Sequence, residues 1–149
     1  APLAEPVAPS SVDTSPVPSS LVGLPVLCID NEPEILVGMN ALMSRWGVRV
    51  LVATTAAEAR DLAAREHPVV VLADHRLAES DPDGLELLQE LCGAQRTASA
   101  GALITADDWA ALAERARESG FPLMRKPIKP AALRALLGAL ASQRNGAGH

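Results

Sequence analysis

The sequence predicts an α/β domain of five consecutive strand–helix units, (βα)5, folded as a doubly wound, parallel five-stranded sheet. Two observations predict it. Short apolar runs of strand length alternate with longer segments whose apolar residues recur at helical spacing. The third run, VVVLAD (69–74), is apolar up to its final Asp, as expected of a strand that helices cover on both faces.

The first two strand–helix units have clear limits. PVLCID (25–30) is a short apolar run, and the predicted helix 33–46 begins with a proline, whose missing N–H does no harm in a first turn. VRVLVA (48–53) is the second run. Thr55 and Glu58 then form a capping-box pattern that opens the second helix, which the His-Pro step at 67–68 ends.

The last three units repeat the pattern. Their predicted strands are 69–74, 100–105 and 122–126, and their predicted helices are 84–92, 107–119 and 130–140. Gly120 ends the fourth helix, since glycine commonly follows a helix. In the fifth helix, four leucines fall on one stripe: Leu133, Leu136, Leu137 and Leu140.

Composition sets the predicted limits of the domain. The chain has 149 residues, enough for one domain of ordinary size. Residues 1–24 are rich in Pro, Ala and Ser and show no apolar period, so we interpret them as a disordered linker. We expect the folded domain to span 25–143 and the remaining residues, 144–149, to form a flexible tail.

Charge and cysteine use exclude several classes of protein. The formal net charge is −5, and because Glu5 and Asp13 lie in the predicted linker, the domain carries −3. This argues against a nucleic-acid phosphate footprint. The sequence has no signal-peptide pattern and no apolar run of membrane-spanning length. Cys28 and Cys92 form no CxxC and sit in apolar segments, which indicates two buried, reduced thiols.

Polar residues stand where the predicted strands end. Asp30 and Asn31 follow the first strand, Asp74 ends the third, Thr105 the fourth and Lys126 the fifth. In such folds ligands bind beyond these carboxyl ends. The two carboxylates and the amide offer hard oxygen ligands that suit Mg²⁺. Asp74 is also a candidate nucleophile, and the hydroxyl and the ammonium group suit phosphoryl oxygens.

Together these motifs resemble the receiver domain of response regulators in two-component signalling. The matching stretches are VLCIDNEPEIL, VVVLADHRL, ALITA and RKPIKPAAL, and the resemblance covers essentially all of 25–143. Each motif alone is weak, but four in order at strand ends are highly specific. The resemblance implies a flavodoxin-like sheet of strand order 2-1-3-4-5. It also implies Mg²⁺-dependent transfer of a phosphoryl group from a kinase histidine to an aspartate.

Residue roles follow from the resemblance by position. Asp74 is the expected phosphoacceptor, with Thr105 and Lys126 as the phosphate contacts. The expected metal ligands are Asp30, Asn31, Asp74 and the backbone carbonyl of Arg76. Pro127 matches a step that is commonly cis in this family.

The resemblance also implies the setting. DNEPEIL, the WG that closes the first helix, and FPLMRKPIKPAALRALL are similar to C-terminal receivers of hybrid histidine kinases. The expected partner is a histidine kinase or a histidine phosphotransfer domain, with no nucleic acid and no direct membrane contact. The expected location is the cytoplasm, whether or not the parent chain is membrane-anchored. The isolated domain would promote its own phosphorylation and dephosphorylation.

Three departures from the family pattern affect the expected chemistry. Asn31 stands where Asp is usual, so it can ligate Mg²⁺ but adds no charge. Leu123 stands where an aromatic residue is usual, which predicts local rather than aromatic-driven switching. The loop from Asp74 to Gly84 is about two residues longer than usual, and Ala78 replaces a common proline.

Other interpretations stay open on sequence alone. Asp30 could cap a helix, Thr105 could begin one, and Lys126 could be a solvated lysine before a turn. His75 could be mistaken for a phosphohistidine or a metal ligand. At the level of function, a degenerate receiver that only docks a partner is the main alternative, supported by Asn31. A flavodoxin-like cofactor enzyme would need a phosphate-binding loop where the sequence has anionic DNEPEI.

Overall fold

The computed structural model describes residues 21–77, 82–92, 100–106 and 109–147. In these residues five strands alternate with five helices along the chain. The strands are β1 (Pro25–Ile29), β2 (Arg49–Ala53), β3 (Val70–Asp74), β4 (Ala100–Thr105) and β5 (Leu123–Arg125). The helices are α1 (Pro33–Ser44), α2 (Ala56–Glu66), α3 (Gly84–Cys92), α4 (Trp109–Ser119) and α5 (Pro130–Ala147).

The sheet has the predicted strand order. All four strand pairs are parallel, and the order is β2-β1-β3-β4-β5. The (βα)5 fold class and its flavodoxin-like order are therefore confirmed. The chain passes from β1 to β2 on one side and reaches β3 on the other, so the topological switch point lies between β1 and β3. A ligand crevice is expected at their carboxyl ends.

Each face of the sheet has its own apolar core. Helices α1 and α5 cover one face with large side chains, including Leu36, Met39, Met43, Leu133 and Leu137. Helices α2, α3 and α4 cover the other with smaller and branched ones, including Ala59, Ala63, Leu85, Leu88 and Leu112. Both faces of β3 are fully buried, as its apolar sequence predicts. Each fully buried leucine contributes about 1.5–3 kcal/mol relative to an exposed one.

The folded domain begins earlier than predicted. Leu21 and Leu24 are buried in the α1–α5 core, and Gly23 donates a backbone hydrogen bond to Gly47 across 2.7 Å. The prediction of a linker over 1–24 is therefore wrong for 21–24, while 1–20 lie outside the described residues. The prediction rested on the average composition of 1–24, which does not reveal Leu21 and Leu24. These two leucines are three residues apart, and a single turn brings both into contact with the core.

The last helix also runs further than predicted. Helix α5 continues through residue 147, so the backbone of 144–147 is helical rather than part of a flexible tail. Ala141, Gln143 and Arg144 are good helix formers beyond the leucine stripe, whereas Asn145 and Gly146 have low helix propensity and do not predict the last turn. Residues 148–149 lie outside the described residues, as do 78–81, with Ala78, in the long loop after β3.

The first two helices begin as predicted. Pro33 is the first residue of α1. Thr55 caps α2 by accepting a hydrogen bond from the Glu58 N–H at 3.1 Å. The Glu58 carboxylate reaches one residue further back than in a standard capping box, to the N–H of Thr54 at 2.8 Å. In the described part of the chain, no helix is long and apolar enough to cross a membrane.

The two cysteines differ in their surroundings. Cys28, in the middle of β1, is fully buried, and burial raises the pKa of its thiol to about 12, with a smaller contribution from the charge of Asp30. Cys92, at the end of α3, is only half-buried, so the prediction of two buried thiols is right for Cys28 alone.

Candidate functional site

Backbone hydrogen bonds align the ends of neighbouring strands. One residue beyond the strand, the Asp30 N–H donates to Ala53 at 3.1 Å. The N–H of His75, next to Asp74, donates to the carbonyl of Ile104 at 2.8 Å. In the same way the Lys126 N–H donates to the carbonyl of Thr105 at 2.8 Å. The sheet itself therefore brings the predicted site residues to one edge.

Lys126 links the two buried carboxylates. Its Nζ lies 3.1 Å from Oδ2 of Asp30 and 3.2 Å from Oδ1 of Asp74, and Glu32 is further away at 3.8 Å. The other oxygen of Asp30 accepts the backbone N–H of Glu32 at 2.9 Å. Asp30 is 96 residues from Lys126 in the chain, so only the sheet order brings them together.

Burial and neighbouring charges shift the pKa values of Asp74 and Lys126. Burial raises the pKa of Asp74, the charge of Asp30 raises it further, and Lys126 offsets part of the rise. Burial alone would lower the pKa of Lys126, but its hydrogen bonds and charge interactions with Asp30 and Asp74 outweigh that effect and raise it. Lys126 is therefore held in its charged form between two acidic groups that repel each other.

These residues open onto a cleft of about 280 Å³ at the carboxyl end of the sheet. Its walls are formed by Asn31, Glu32, Asp74, Arg76, Thr105, Ala106 and Lys126. Asp74 and Thr105 are buried at its base, whereas Asn31, Glu32 and Arg76 are exposed at its rim. The residues that line the cleft thus include a carboxylate, a hydroxyl and an ammonium side chain, which suit a phosphoryl group.

The donor set fits a hard divalent cation. In the described residues, no group of three or more His, Cys, Asp and Glu side chains is arranged to hold a metal ion. A cation here would instead use the carboxylates of Asp30 and Asp74, the amide oxygen of Asn31 and the main-chain oxygen of Arg76. Carboxylate, amide and carbonyl oxygens are the ligands that Mg²⁺ accepts, and water completes its shell.

Gly84 is a residue in close contact with the candidate site that the sequence analysis did not single out. A Cβ at this position would lie 2.1 Å from the carbonyl oxygen of Asp74, much closer than atoms can approach. The Gly84 N–H also donates to the carbonyl of His75 at 2.9 Å. The start of α3 thus presses directly on the backbone of Asp74. The sequence signal for this contact was a glycine at the first position of a predicted helix. Glycine is usually found just after the last residue of a helix instead.

Two other predictions concern neighbours of the site. The peptide bond between Lys126 and Pro127 is cis, as expected. His75 is mostly buried and its Nε2 faces Oδ2 of Asp83 at 3.9 Å. Its Nδ1 is buried and has no hydrogen-bond partner among the described residues.

A known protein family matches most of the chain. The family described as "Response regulator receiver domain" matches residues 26–138. No curated protein matches the sequence.

Solved structures share the fold. A CheY-like response regulator receiver domain protein from Methanospirillum hungatei is 20% identical, with a TM-score of 0.75, over 83% of this chain and 98% of that one. The receiver domain of a putative LuxO repressor protein from Vibrio parahaemolyticus is 15% identical, with a TM-score of 0.73, over 82% of this chain and 92% of that one. The BeF3-activated N-terminal receiver domain of RstA from Klebsiella pneumoniae is 24% identical, with a TM-score of 0.70, over 78% of this chain and 97% of that one.

Proposed function

The chain belongs to the response regulator receiver domain family of two-component signalling, and from this we propose that Asp74 is its phosphoacceptor. The donor is a phosphohistidine of a histidine kinase or a histidine phosphotransfer domain. One observation carries the proposal. Lys126 forms ion pairs with both Asp30 and Asp74, and it lines a cleft together with Asp74 and Thr105.

The transfer step follows from these contacts. A carboxylate oxygen of Asp74 forms a bond to phosphorus as the phosphorus–nitrogen bond of the donor breaks, and the departing imidazole keeps the electron pair. Lys126 offsets the negative charge on the phosphoryl oxygens, and Thr105 donates its hydroxyl to one of them. Both residues are already positioned by the sheet, so little reorganisation accompanies the step.

Mg²⁺, when bound, supplies further positive charge to the phosphoryl oxygens. Asp30, Asn31, Asp74 and the main-chain carbonyl of Arg76 are the proposed ligands. Asn31 contributes an oxygen without a charge, so the site holds the cation more weakly than one with a third carboxylate.

The proposed setting is a phosphorelay, with the chain as the C-terminal receiver of a hybrid histidine kinase. Leu123, half-buried in β5, has no ring to move inward when Thr105 engages a phosphoryl group. We therefore expect phosphorylation to change contacts near the cleft and the loop after β3. Beryllofluoride, a phosphoryl mimic, tests this by NMR. Shifts spread over 107–143, or dimerisation through that surface, would place the domain among conformational switches instead.

The acceptor assignment has a direct test. The chain is incubated with acetyl phosphate and Mg²⁺, and its intact mass is measured. We expect one phosphate adduct in the wild type and in Asp61→Asn, an exposed carboxylate on α2, and none in Asp74→Asn, because the amide is a poor nucleophile. An adduct that persists in Asp74→Asn would show that another residue is the acceptor.

The alternative function is a docking module that binds a kinase without being phosphorylated. Asn31 favours it, since the cleft lacks one acidic group, whereas Asp74, Thr105 and Lys126 oppose it, since they are the residues that phosphorylation needs. Kinase binding by a wild-type chain that forms no adduct with either acetyl phosphate or the phosphorylated kinase would support this function over the first.

A further inference from the structure

Outside the cleft, a chain of polar side chains joins β3 to α4. Oδ2 of Asp83 lies 3.3 Å from a guanidinium nitrogen of Arg115 on α4 and 3.9 Å from Nε2 of His75. Arg115 is 32 residues from Asp83 in sequence. We name these three residues, His75, Asp83 and Arg115, the Asp83 link.

Asp83 also fixes the start of α3. Its Oδ1 accepts the N–H of Glu86 at 2.9 Å, and the Glu86 carboxylate accepts the N–H of Asp83 at 3.0 Å. This reciprocal pair is a capping box, which satisfies two N–H groups at the helix end. The two oxygens of Asp83 therefore have separate tasks: one caps α3 and the other faces Arg115.

The start of α3 is in direct contact with the acceptor. Gly84 follows Asp83, donates its N–H to His75, and leaves no room for a Cβ against the carbonyl of Asp74. A displacement of this helix end must therefore move the backbone of Asp74. Because Lys126 reaches Asp74 from another strand, such a movement also changes the geometry between the acceptor and its cation.

We propose that Arg115 is a positioning residue for Asp74, acting through the Asp83 link. Arg115 holds Asp83, Asp83 holds the first turn of α3, and Gly84 in that turn holds the acceptor backbone. The Arg115–Asp83 contact and the reactivity of Asp74 are thereby coupled locally, without a displacement of α4 as a whole. The coupling of reactivity rests on the proposed acceptor function, whereas the mechanical link does not.

A neighbouring ion pair on α4 provides a matched control. Arg117 bonds Glu114 at 2.7 Å within the same helix, and both side chains are more exposed than those of Arg115 and Asp83. Arg117 is the same type of residue two positions along, but it makes no bridge to another element within the described part of the chain. Removing it tests charge and helix content without touching Asp83.

The experiment measures the rate at which acetyl phosphate and Mg²⁺ phosphorylate Asp74. We expect Arg115→Ala to slow it by about threefold, the coupling of an exposed ion pair, with Arg115→Lys partly restoring it and Arg117→Ala leaving it unchanged. Asp83→Asn keeps a capping oxygen, since Asn caps as well as Asp, but loses the charge that faces Arg115. It should slow the rate similarly, and the double variant with Arg115→Ala should be no slower than either single variant.

The outcomes separate this inference from the acceptor assignment. In the unphosphorylated chain, Arg115→Ala should shift the NMR amide signals of His75 and Gly84, and Arg117→Ala should not. Unmoved signals, or equal phosphorylation rates in wild type and Arg115→Ala, would overturn the inference, as would fully additive slowing in the double variant. A wild-type chain that gains no phosphate on Asp74 would instead overturn the acceptor function, and the amide shifts would still decide whether the link exists.

Discussion

The two ends of the parallel sheet bury different kinds of side chain. The amino end, where α1 returns and the chain enters the domain, buries apolar residues: Leu21, Leu24, Trp46 and Val48. The carboxyl end buries polar ones: Asp30, Asp74 and Thr105. The same five strands thus connect an end that stabilises the fold to an end that carries the candidate site.

The physical difference is the sign of the burial free energy. Removing an apolar side chain from water is favourable, whereas removing a carboxylate is unfavourable unless partners compensate. Lys126 compensates only in part, because the pKa of Asp74 remains raised. The fold therefore tolerates the carboxyl end and relies on the two apolar cores and the amino end for stability.

The sharpest test of this contrast is at the amino end. Leu21→Ala removes a fully buried side chain and should lower the free energy of unfolding by about 3 kcal/mol. Urea denaturation measures it, with Val22→Ala, 65% exposed, as the adjacent control that should change it little. Phosphorylation of the folded Leu21→Ala chain should be normal. A loss of phosphorylation with unchanged stability would reverse the assignment of the two ends.

At the carboxyl end, Gly84→Ala should have the next largest effect. Its Cβ would collide with the backbone of Asp74, so we expect unfolding free energy to fall by about 2 kcal/mol and phosphorylation to slow markedly. Gly138→Ala in α5 has open space and is the control, expected to stabilise the helix by up to about 1 kcal/mol. Phosphorylation at the wild-type rate in Gly84→Ala would show that the contact with Asp74 is unimportant.

Adding a negative charge to the cleft should have a smaller effect, on the affinity for Mg²⁺. Asn31→Asp supplies a third acidic ligand and should tighten Mg²⁺ binding by about 1 kcal/mol, roughly fivefold. Isothermal titration of Mg²⁺ into the two chains measures the difference. The exposed Asn40 on α1 is the control position, and Asn40→Asp should leave the affinity unchanged. Equal or weaker binding in Asn31→Asp would contradict the proposed ligand set.

The smallest effect is expected from removing the charge of Asp74, the proposed acceptor. Because the pKa of Asp74 is raised in the folded state, folding disfavours its ionised form, and its contribution to stability is lost as pH rises from the ordinary Asp pKa through the folded one. The free energy of unfolding of Asp74→Asn should therefore match that of the wild type below the ordinary Asp pKa and exceed it at pH 7. Unfolding free energies across this range measure the difference, and a variant less stable at pH 7 would contradict the sign.

Periodicity and strand-end chemistry predicted most of the fold and the cleft. Apolar runs mark the strands because burial requires them, and polar residues at their ends stand out against that background. Other features depend on contacts distant in sequence. The three contacts of Lys126 and the link from Asp83 to Arg115 depend on the order of the strands and the packing of α4. Leu21 was misassigned because composition averages over a segment, whereas packing acts on single side chains.

Cys28 can report how often the centre of the sheet opens. It lies in β1 two residues before Asp30, fully buried, with a thiol pKa of about 12. The thiolate is the form that attacks thiol reagents, so Cys28 is modified only when the centre of the sheet opens and exposes it. Cys92 is half-buried, so under the same conditions it should react sooner and report local opening at the end of α3. The difference between the modification rates of Cys28 and Cys92 can be measured with and without acetyl phosphate. A change in this difference would show how strongly phosphorylation at the strand ends suppresses opening of the sheet centre.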